Sequence, residues 1–143
     1  MTKSDVFENS MQLLTFQATA ITNIADNAAT GALTNLYLSL HTADPTDAGD
    51  QGTSESTYTS YSRVAVARTN TGFVVAAGVA SLNANADFPQ ATNTGPNITH
   101  FSVGDLSAAT SGRILYSGTV TPNINIADGV TPRLTTGTTI TEE

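Results

Sequence analysis

The 143-residue sequence contains no cysteine and no tryptophan, and only five of its residues are lysine or arginine. Without cysteine the chain can have no disulfide, no thiolate nucleophile and no cysteine-ligated zinc. The lack of tryptophan, with only four tyrosines, leaves little aromatic surface on which a sugar could stack. No stretch approaches the ~20 consecutive apolar residues of a transmembrane helix. These absences exclude several classes of enzyme and of membrane protein.

The few cations exclude two further classes of partner. They are scattered along the chain at Lys3, Arg63, Arg68, Arg113 and Arg133. Twelve acidic residues outnumber them and give a net charge of -7. Nucleic acids and anionic membrane surfaces both attract clustered basic residues, so we expect neither as a partner. The N-terminus has no apolar run after its single lysine, and we therefore expect no signal peptide and no Sec export.

The composition is typical of a β-domain with a partly covered surface. Charged residues make up 12% of the chain, about half the usual ~25% of globular proteins. Threonine, with serine, asparagine and glycine behind it, takes their place. Because threonine is β-branched and polar, it suits the half-solvated face of a pleated sheet. Such a surface is polar without being charged, as expected where another protein covers it.

Near the N-terminus the apolar residues recur at helical spacing, from about Asp5 to Ala25. The stripe comprises Val6, Phe7, Met11, Leu14, Ala18, Ile21 and Ala25. Ser4 or Asp5 can cap the start, and Asp26, Asn27 and Gly31 supply a stop. The pattern predicts an amphipathic helix or arm over residues 1–30. Its apolar stripe packs either on the domain's own sheet or, in part, on a neighbouring subunit.

After Gly31 the period of the apolar residues changes from helical to two. Strands are predicted around Leu36–Leu40, Val64–Val66, Gly72–Leu82, Ile98–Val103, Ile114–Tyr116, Ile124–Ile126 and Leu134–Ile140. Leu36, Leu38 and Leu40 alternate with polar residues and indicate a half-buried strand. Glycine, proline, asparagine and aspartate separate the strands. We predict a mainly β fold, with an antiparallel sandwich or jelly-roll-like domain over residues 31–143, and a single compact domain overall.

One segment, residues 42–60, is long, acidic and rich in glycine, serine and threonine. Asp44, Asp47 and Asp50 lie three residues apart within it, with Glu55 beyond them. A calcium loop places its oxygen ligands at alternating positions and closes with a bidentate carboxylate, which this spacing does not match. We interpret the segment as a solvated loop whose aspartates bond their own backbone, and we expect no metal.

No catalytic constellation stands out, and we expect neither enzymatic activity nor a cofactor. The chain's two imidazoles, His41 and His100, fall on predicted strands, and no Gly-x-Ser-x-Gly elbow is present. A strand histidine bonded to a hydroxyl or carbonyl is the simpler interpretation of both. Gly104 and Gly112 are interpreted as turn glycines, since neither lies in the strand–turn–helix unit of a phosphate loop.

An ordered series of motifs resembles a family of small structural proteins of tailed phages and prophages. The motifs are LYLSLHTADP at residues 36–45, ESTYTSYSRVAVAR at 55–68, TNIADNA at 22–28, FP at 88–89, ITHF at 98–101 and LYSG at 115–118. The resemblance spans nearly the whole chain. It implies a virion protein, either tail-fibre-related or one of the small β-sandwich cement proteins of the capsid exterior.

Between these two roles the sequence favours a capsid cement (decoration) protein, which binds the assembled head lattice and stabilises it. The alternative is a tail-associated subunit: a tail fibre, adaptor or baseplate component. The expected partner is the major capsid protein, or tail proteins under the alternative, with a homo-oligomer of two or three copies. The chain would be made in the host cytoplasm. Candidate subunit contacts are Val6, Phe7, Met11, Leu14, Asp44, Asp47, Asp50, Tyr58 and Tyr61.

Overall fold

The computed structural model describes residues 4–21, 25, 33–108 and 111–141. The described residues form one helix and nine strands. These are α1 (Asp5–Gln17), β1 (Asn35–His41), β2 (Val64–Ala67), β3 (Phe73–Ala76), β4 (Val79–Leu82), β5 (Ala86–Asp87), β6 (Asn97–Gly104), β7 (Ile114–Asn125), β8 (Arg133–Leu134) and β9 (Thr139–Thr141). The predicted fold class, mainly β and antiparallel with an N-terminal helix, is confirmed. Its arrangement as a sandwich or jelly roll stays a prediction.

Internal contacts group the chain into two units. The first comprises Met1–Asn35, Val66–Asn85 and Leu134–Glu143, and the second Leu36–Ala65 and Ala86–Arg133. The described strands form sheets in the orders β2-β1-β6-β7, β3-β4-β9 and β5-β8. No helix among the described residues is both long enough and apolar enough to span a membrane.

In the first unit, α1 packs against the sheet of β3, β4 and β9. The Ser4 hydroxyl caps the helix by accepting from the Phe7 amide. The Phe16 ring contacts the Phe73 ring at a centroid distance of 4.8 Å, and both rings are fully buried. The apolar stripe thus packs on the chain's own sheet at the C-terminal half of the helix, as one of the two predicted alternatives requires.

The helix is shorter than predicted. It ends at Gln17 rather than near Ala25, because Ala18 takes the left-handed conformation (φ 54°). The guanidinium of Arg68 donates to the carbonyls of Thr15 (2.6 Å) and Leu14, which satisfies acceptors left free by the last turn. Beyond this end, Ile21 and Ala25 form an antiparallel bridge. The predicted stop residues 26, 27 and 31 lie outside the described residues.

Gln12 is a polar residue that the helix buries completely. Neither its Nε2 nor its Oε1 has a hydrogen-bond partner among the described residues. Because an unsatisfied buried amide costs about 1–3 kcal/mol, Gln12→Met should raise the free energy of unfolding by a similar amount. Urea unfolding at pH 7 measures the change.

A matched control lies on the same helix. Gln17→Met removes a side chain whose Nε2 donates to the Phe73 carbonyl at 3.2 Å, and should not stabilise the chain. Equal effects of the two substitutions would mean that the change in the free energy of unfolding comes from helix propensity and not from the unsatisfied amide.

In the second unit, β1 and β6 form the centre of the four-stranded sheet. Leu38 lies opposite Val103 and Leu40 opposite Phe101. Together with Leu36 these side chains are buried, which confirms the predicted inward alternation of the three leucines. The core of this unit therefore lies on one face of β1 and β6.

Several of the predicted strands were divided wrongly. The segment predicted over Gly72–Leu82 is not one strand but the antiparallel pair of β3 and β4, because Ala77 and Gly78 turn the chain at positive φ between them. The segments around Ile114 and Ile124 belong to one strand, β7, whose pairing with β6 shifts between Thr119, opposite His100, and Ile124, opposite Ile98. The shift is an irregularity of pairing within a continuous strand, since residues 120–123 of β7 stand against Thr99 of β6. In contrast, the predicted last strand is split into β8 and β9, because a turn closed by the Thr138 amide and the Thr135 carbonyl (2.9 Å) separates them.

Candidate functional site

The second face of β1 and β6 is polar, and residues 42–63 (the β1–β2 segment) fold over it. Ser39 and His41 of β1 lie opposite Ser102 and His100 of β6. Ser39, His41 and Ser102 are fully buried. The sequence interpretation of a half-buried β1 is therefore wrong, because its polar face is covered as well. The predicted solvated loop is confirmed in part, since ten of the residues 42–60 are exposed while Pro45, Gln51, Ser56 and Tyr58 are buried. Buried polar groups need hydrogen-bond partners, and the β1–β2 segment supplies them.

Gln51 is the residue that the β1–β2 segment inserts into this polar layer. Its Nε2 donates to the Ser39 hydroxyl (3.0 Å) and to the Tyr37 carbonyl (3.3 Å). Its Oε1 accepts from the Leu106 amide at 3.0 Å. The side chain is fully buried, so one amide connects the segment to β1 and to the connection after β6.

Two glycines make room for the Gln51 amide. A Cβ on Gly104 would lie 2.1 Å from Gln51 Cδ, and a Cβ on Gly112 would lie 2.3 Å from Gln51 Oε1. Real Cβ contacts essentially never fall below 3.0 Å. The interpretation of both as turn glycines is corrected accordingly: they are required by close approach to a side chain.

A buried ion pair anchors the other end of the β1–β2 segment. Arg63 Nε and Nη2 donate to the two carboxylate oxygens of Glu55 at 2.7 and 2.8 Å. Arg63 Nη1 donates to the Leu106 carbonyl at 2.9 Å. The Tyr61 hydroxyl donates to Glu55 (2.9 Å) and accepts from the Leu40 amide (3.0 Å). Burial raises the pKa of Tyr61 above its ordinary value, which keeps this hydroxyl a donor.

Both ring nitrogens of His41 are engaged. Nδ1 lies 2.8 Å from the Thr53 carbonyl, and Nε2 lies 2.8 Å from the Ser102 hydroxyl. A carbonyl can only accept, so Nδ1 carries the proton and the neutral ring accepts from Ser102 at Nε2. Burial lowers the pKa of His41 below its ordinary value, against the opposing effect of the Thr53 hydrogen bond.

The contact between Ser102 and His41 resembles the first two members of a hydrolytic triad. However, Ser102 has no exposed surface, so no substrate carbonyl could reach its hydroxyl. The group that orients His41 is the Thr53 carbonyl and not a carboxylate. The simpler sequence interpretation, a strand histidine bonded to a hydroxyl or carbonyl, therefore fits His41, and its two hydrogen bonds help to hold the segment on the sheet.

The aspartates of the β1–β2 segment bond their own loop. Asp44 Oδ1 accepts from the Thr46 amide, and Asp50 Oδ1 from the Gly52 amide, both at 2.9 Å. The predicted turn chemistry is thus confirmed for these two residues, while Asp47 is exposed. Among residues 4–21, 25, 33–108 and 111–141, no three or more histidine, aspartate or glutamate residues are grouped to hold a metal ion.

The two candidate tyrosines pack inside the second unit. Tyr58 is 3% exposed, and its hydroxyl donates to the Pro89 carbonyl at 2.8 Å. Burial raises the pKa of Tyr58 to about 12. The Tyr61 ring lies between those of Tyr58 (5.3 Å) and Phe88 (6.2 Å). Burial of Tyr58 leaves its ring no surface for a partner.

The four candidate residues of α1 differ in exposure. Val6 is 80% exposed and Phe7 is 37% exposed, at the start of the helix. Met11 and Leu14 are half-buried. Of the sequence-predicted contacts, the structure therefore leaves Val6, Phe7, Asp44 and Asp47 exposed.

Sequence reasoning missed Gln51 and the ion pair of Glu55 with Arg63. A single glutamine in a glycine-rich acidic segment carries no periodic signal. A weak signal existed for the ion pair, because Arg63 is one of only five cations and Glu55 lies eight residues before it. The spacing alone does not show that the two side chains are buried together.

Comparison with protein families gave a match along most of the chain. Residues 12–142 match the family model described as podophage GP4 fiber I protein gp80. The matched range begins within α1 and includes every described strand, whereas Val6, Phe7 and Met11 precede it. A search of individually curated proteins found no match.

Proposed function

Because the chain belongs to the podophage GP4 fiber I protein gp80 family and is a phage structural protein, we propose that it serves as a tail-associated fibre subunit. The observation that carries the proposal is the match over residues 12–142. The family description names a fibre and not a capsid protein. It therefore supports the tail-associated alternative and gives no support to the capsid cement role that the sequence favoured.

The described structure suits a protein that acts through contacts with other virion proteins. Its polar layer, built on Ser39, His41, Gln51 and Ser102, is buried and hydrogen-bonded within the chain. Such a layer fixes one conformation of the sheet and its covering segment. We propose tail proteins as partners in place of the major capsid protein, and assembly of the subunit as a dimer or trimer.

The exposed start of α1 is the proposed contact with a neighbouring subunit. Val6 and Phe7 present apolar side chains to solvent, although most of the helix packs on its own sheet. Apolar residues exposed next to each other are often covered by another protein. Both residues precede the matched range, so this contact would be a property of the chain and not one carried over from the family.

The location of the protein in the particle tests the fibre role. Purified particles would be separated into heads and tails, and the ratio of this chain to the coat protein measured in each by quantitative mass spectrometry. We expect a small number of copies per particle, all in the tail fraction. Copies near-stoichiometric with the coat protein in the head fraction would overturn the fibre role and restore the cement role.

The same head and tail fractions test the proposed contact through Val6 and Phe7. Particles would be produced with the Val6→Ser/Phe7→Ser chain, or with Val74→Ser, which removes a 45% exposed valine from β3. Incorporation should fall for the helix variant and not for Val74→Ser, with both proteins folded by circular dichroism. Unchanged incorporation of the helix variant would contradict the contact without affecting the fibre role.

A further inference from the structure

The chain's two histidines face each other across the ladder of β1 and β6. His41 and His100 are direct cross-strand partners. Directly opposite residues of an antiparallel pair project to the same face with Cβ atoms about 4.5–5.5 Å apart. His41 is fully buried beneath the β1–β2 segment, and His100 is half-buried with its Nδ1 2.8 Å from the Thr99 hydroxyl. Histidine gains a charge within the range of pH 5 to 8.

His41 bonds to the β1–β2 segment as a neutral ring. The Nδ1 proton of the ring is donated to the Thr53 carbonyl of the segment, and Nε2 accepts from Ser102. A proton added at Nε2 would convert this acceptor into a donor and force the buried Ser102 hydroxyl to reverse its role. It would also place a charge in a layer that otherwise consists of neutral groups.

The charges around His41 do not compensate for such a proton. Those that act on it are Glu55 and Arg63 of the β1–β2 segment and His100 of β6. Glu55 is already bound by both oxygens to Arg63, so this pair contributes little net charge. His100, across the ladder, acts to lower the pKa of His41 and so opposes its protonation.

We propose that the pair of His41 and His100 acts as an acid-sensitive latch, which holds the β1–β2 segment on the sheet at neutral pH and releases it on acidification. Burial depresses the pKa of His41 in the closed form, so the open form binds more protons. The closed form is then fully favoured above pH about 6.5 and loses stability as the pH falls toward the depressed pKa of His41. One proton taken up changes the opening constant by at most tenfold per pH unit.

Hydrogen exchange tests the latch in the full-length protein. Protection factors, corrected for the intrinsic pH dependence of exchange, would be measured by mass spectrometry at pH 7.5 and 5.0. Between these values we expect protection of peptides within residues 42–62 to fall about tenfold. Peptides of the β6–β7 ladder, which belong to the same unit, should keep theirs. Equal protection at both pH values, or parallel loss in both sets of peptides, would overturn the proposal.

Two variants separate the roles of the histidines. His41→Gln keeps a donor and an acceptor but cannot take up a proton, so the pH response of the segment should disappear. His100→Asn removes the electrostatic effect of His100 on His41, and a lower pH should then be needed for the same loss of protection. If His41→Gln does not fold, the pH responses of the wild type and of His100→Asn still test the proposal. An unshifted response in His100→Asn would overturn the paired mechanism.

Discussion

Replacing Arg63 with methionine should lower the free energy of unfolding by about 3–5 kcal/mol at pH 7. The Arg63 side chain is fully buried and the Glu55 side chain is 7% exposed. Methionine would leave the Glu55 carboxylate in this buried site with the Tyr61 hydroxyl as its remaining side-chain donor. It would also leave the Leu106 carbonyl without its guanidinium donor. Breaking a buried ion pair from one side is costly because the other charge stays desolvated.

The control is an ion pair at the surface. Arg113 is 77% exposed where its Nε approaches Asp105 Oδ2 at 3.0 Å, and exposed pairs contribute about 0–1 kcal/mol. Arg113→Met should therefore change urea unfolding much less than Arg63→Met. The double variant Glu55→Met/Arg63→Met should recover much of the loss, since no charge is then buried alone. Equal losses for Arg63→Met and Arg113→Met would contradict the assigned role of the buried pair.

The sequence predicted the apolar side of the fold well because apolar residues repeat. The alternation of Leu36, Leu38 and Leu40 gave the buried face of β1, and Phe101 and Val103 gave that of β6. Both sets of side chains follow the two-residue period of a strand, which is a local property. The resemblance to phage structural proteins was confirmed by the match over residues 12–142.

The end of α1 and the divisions of the late strands could not be predicted in this way. Helical spacing continues through Ile21 and Ala25, but Ala18 turns left-handed and Arg68, fifty-three residues beyond Thr15, binds the carbonyls of the last turn. The partner that ends the helix is thus distant in sequence. Similarly, β7 is one strand because an irregular stretch within it is accommodated against β6, which is a feature of pairing between distant residues.

The polar layer was the largest error of the sequence reasoning. The turn chemistry of the aspartates in residues 42–60 predicted a solvated loop, which is correct for Asp44 and Asp47 but not for the buried Gln51. Here hydrogen bonds from Gln51 and His41, with the ion pair of Glu55 and Arg63, hold the segment in place. Polar residues carry no periodic pattern that distinguishes these buried partners from exposed ones. The predicted division into an N-terminal helix or arm (residues 1–30) and a β-domain (residues 31–143) stays a prediction.

Gly104→Ala should lower the free energy of unfolding by about 1–3 kcal/mol. Gly104 lies at the end of β6, and an added Cβ would fall 2.1 Å from Gln51 Cδ and 2.4 Å from Gln51 Oε1. The Gln51 amide cannot move aside without losing its bonds to Ser39 and the Leu106 amide. Gly137→Ala is the control, because the nearest atom to its added Cβ is the Thr135 hydroxyl oxygen at 3.4 Å, an ordinary contact.

A double-mutant cycle identifies the contact responsible. Gln51→Ala should itself destabilise the chain, since it removes three side-chain hydrogen bonds from a buried layer. In the Gln51→Ala background the methyl group of Gly104→Ala enters the space that the amide occupied, so its additional cost should nearly vanish. The coupling energy from urea unfolding should therefore be about as large as the cost of Gly104→Ala alone. Additive losses would instead place the strain in the backbone of β6 and would contradict the inference that Gly104 is glycine to admit Gln51.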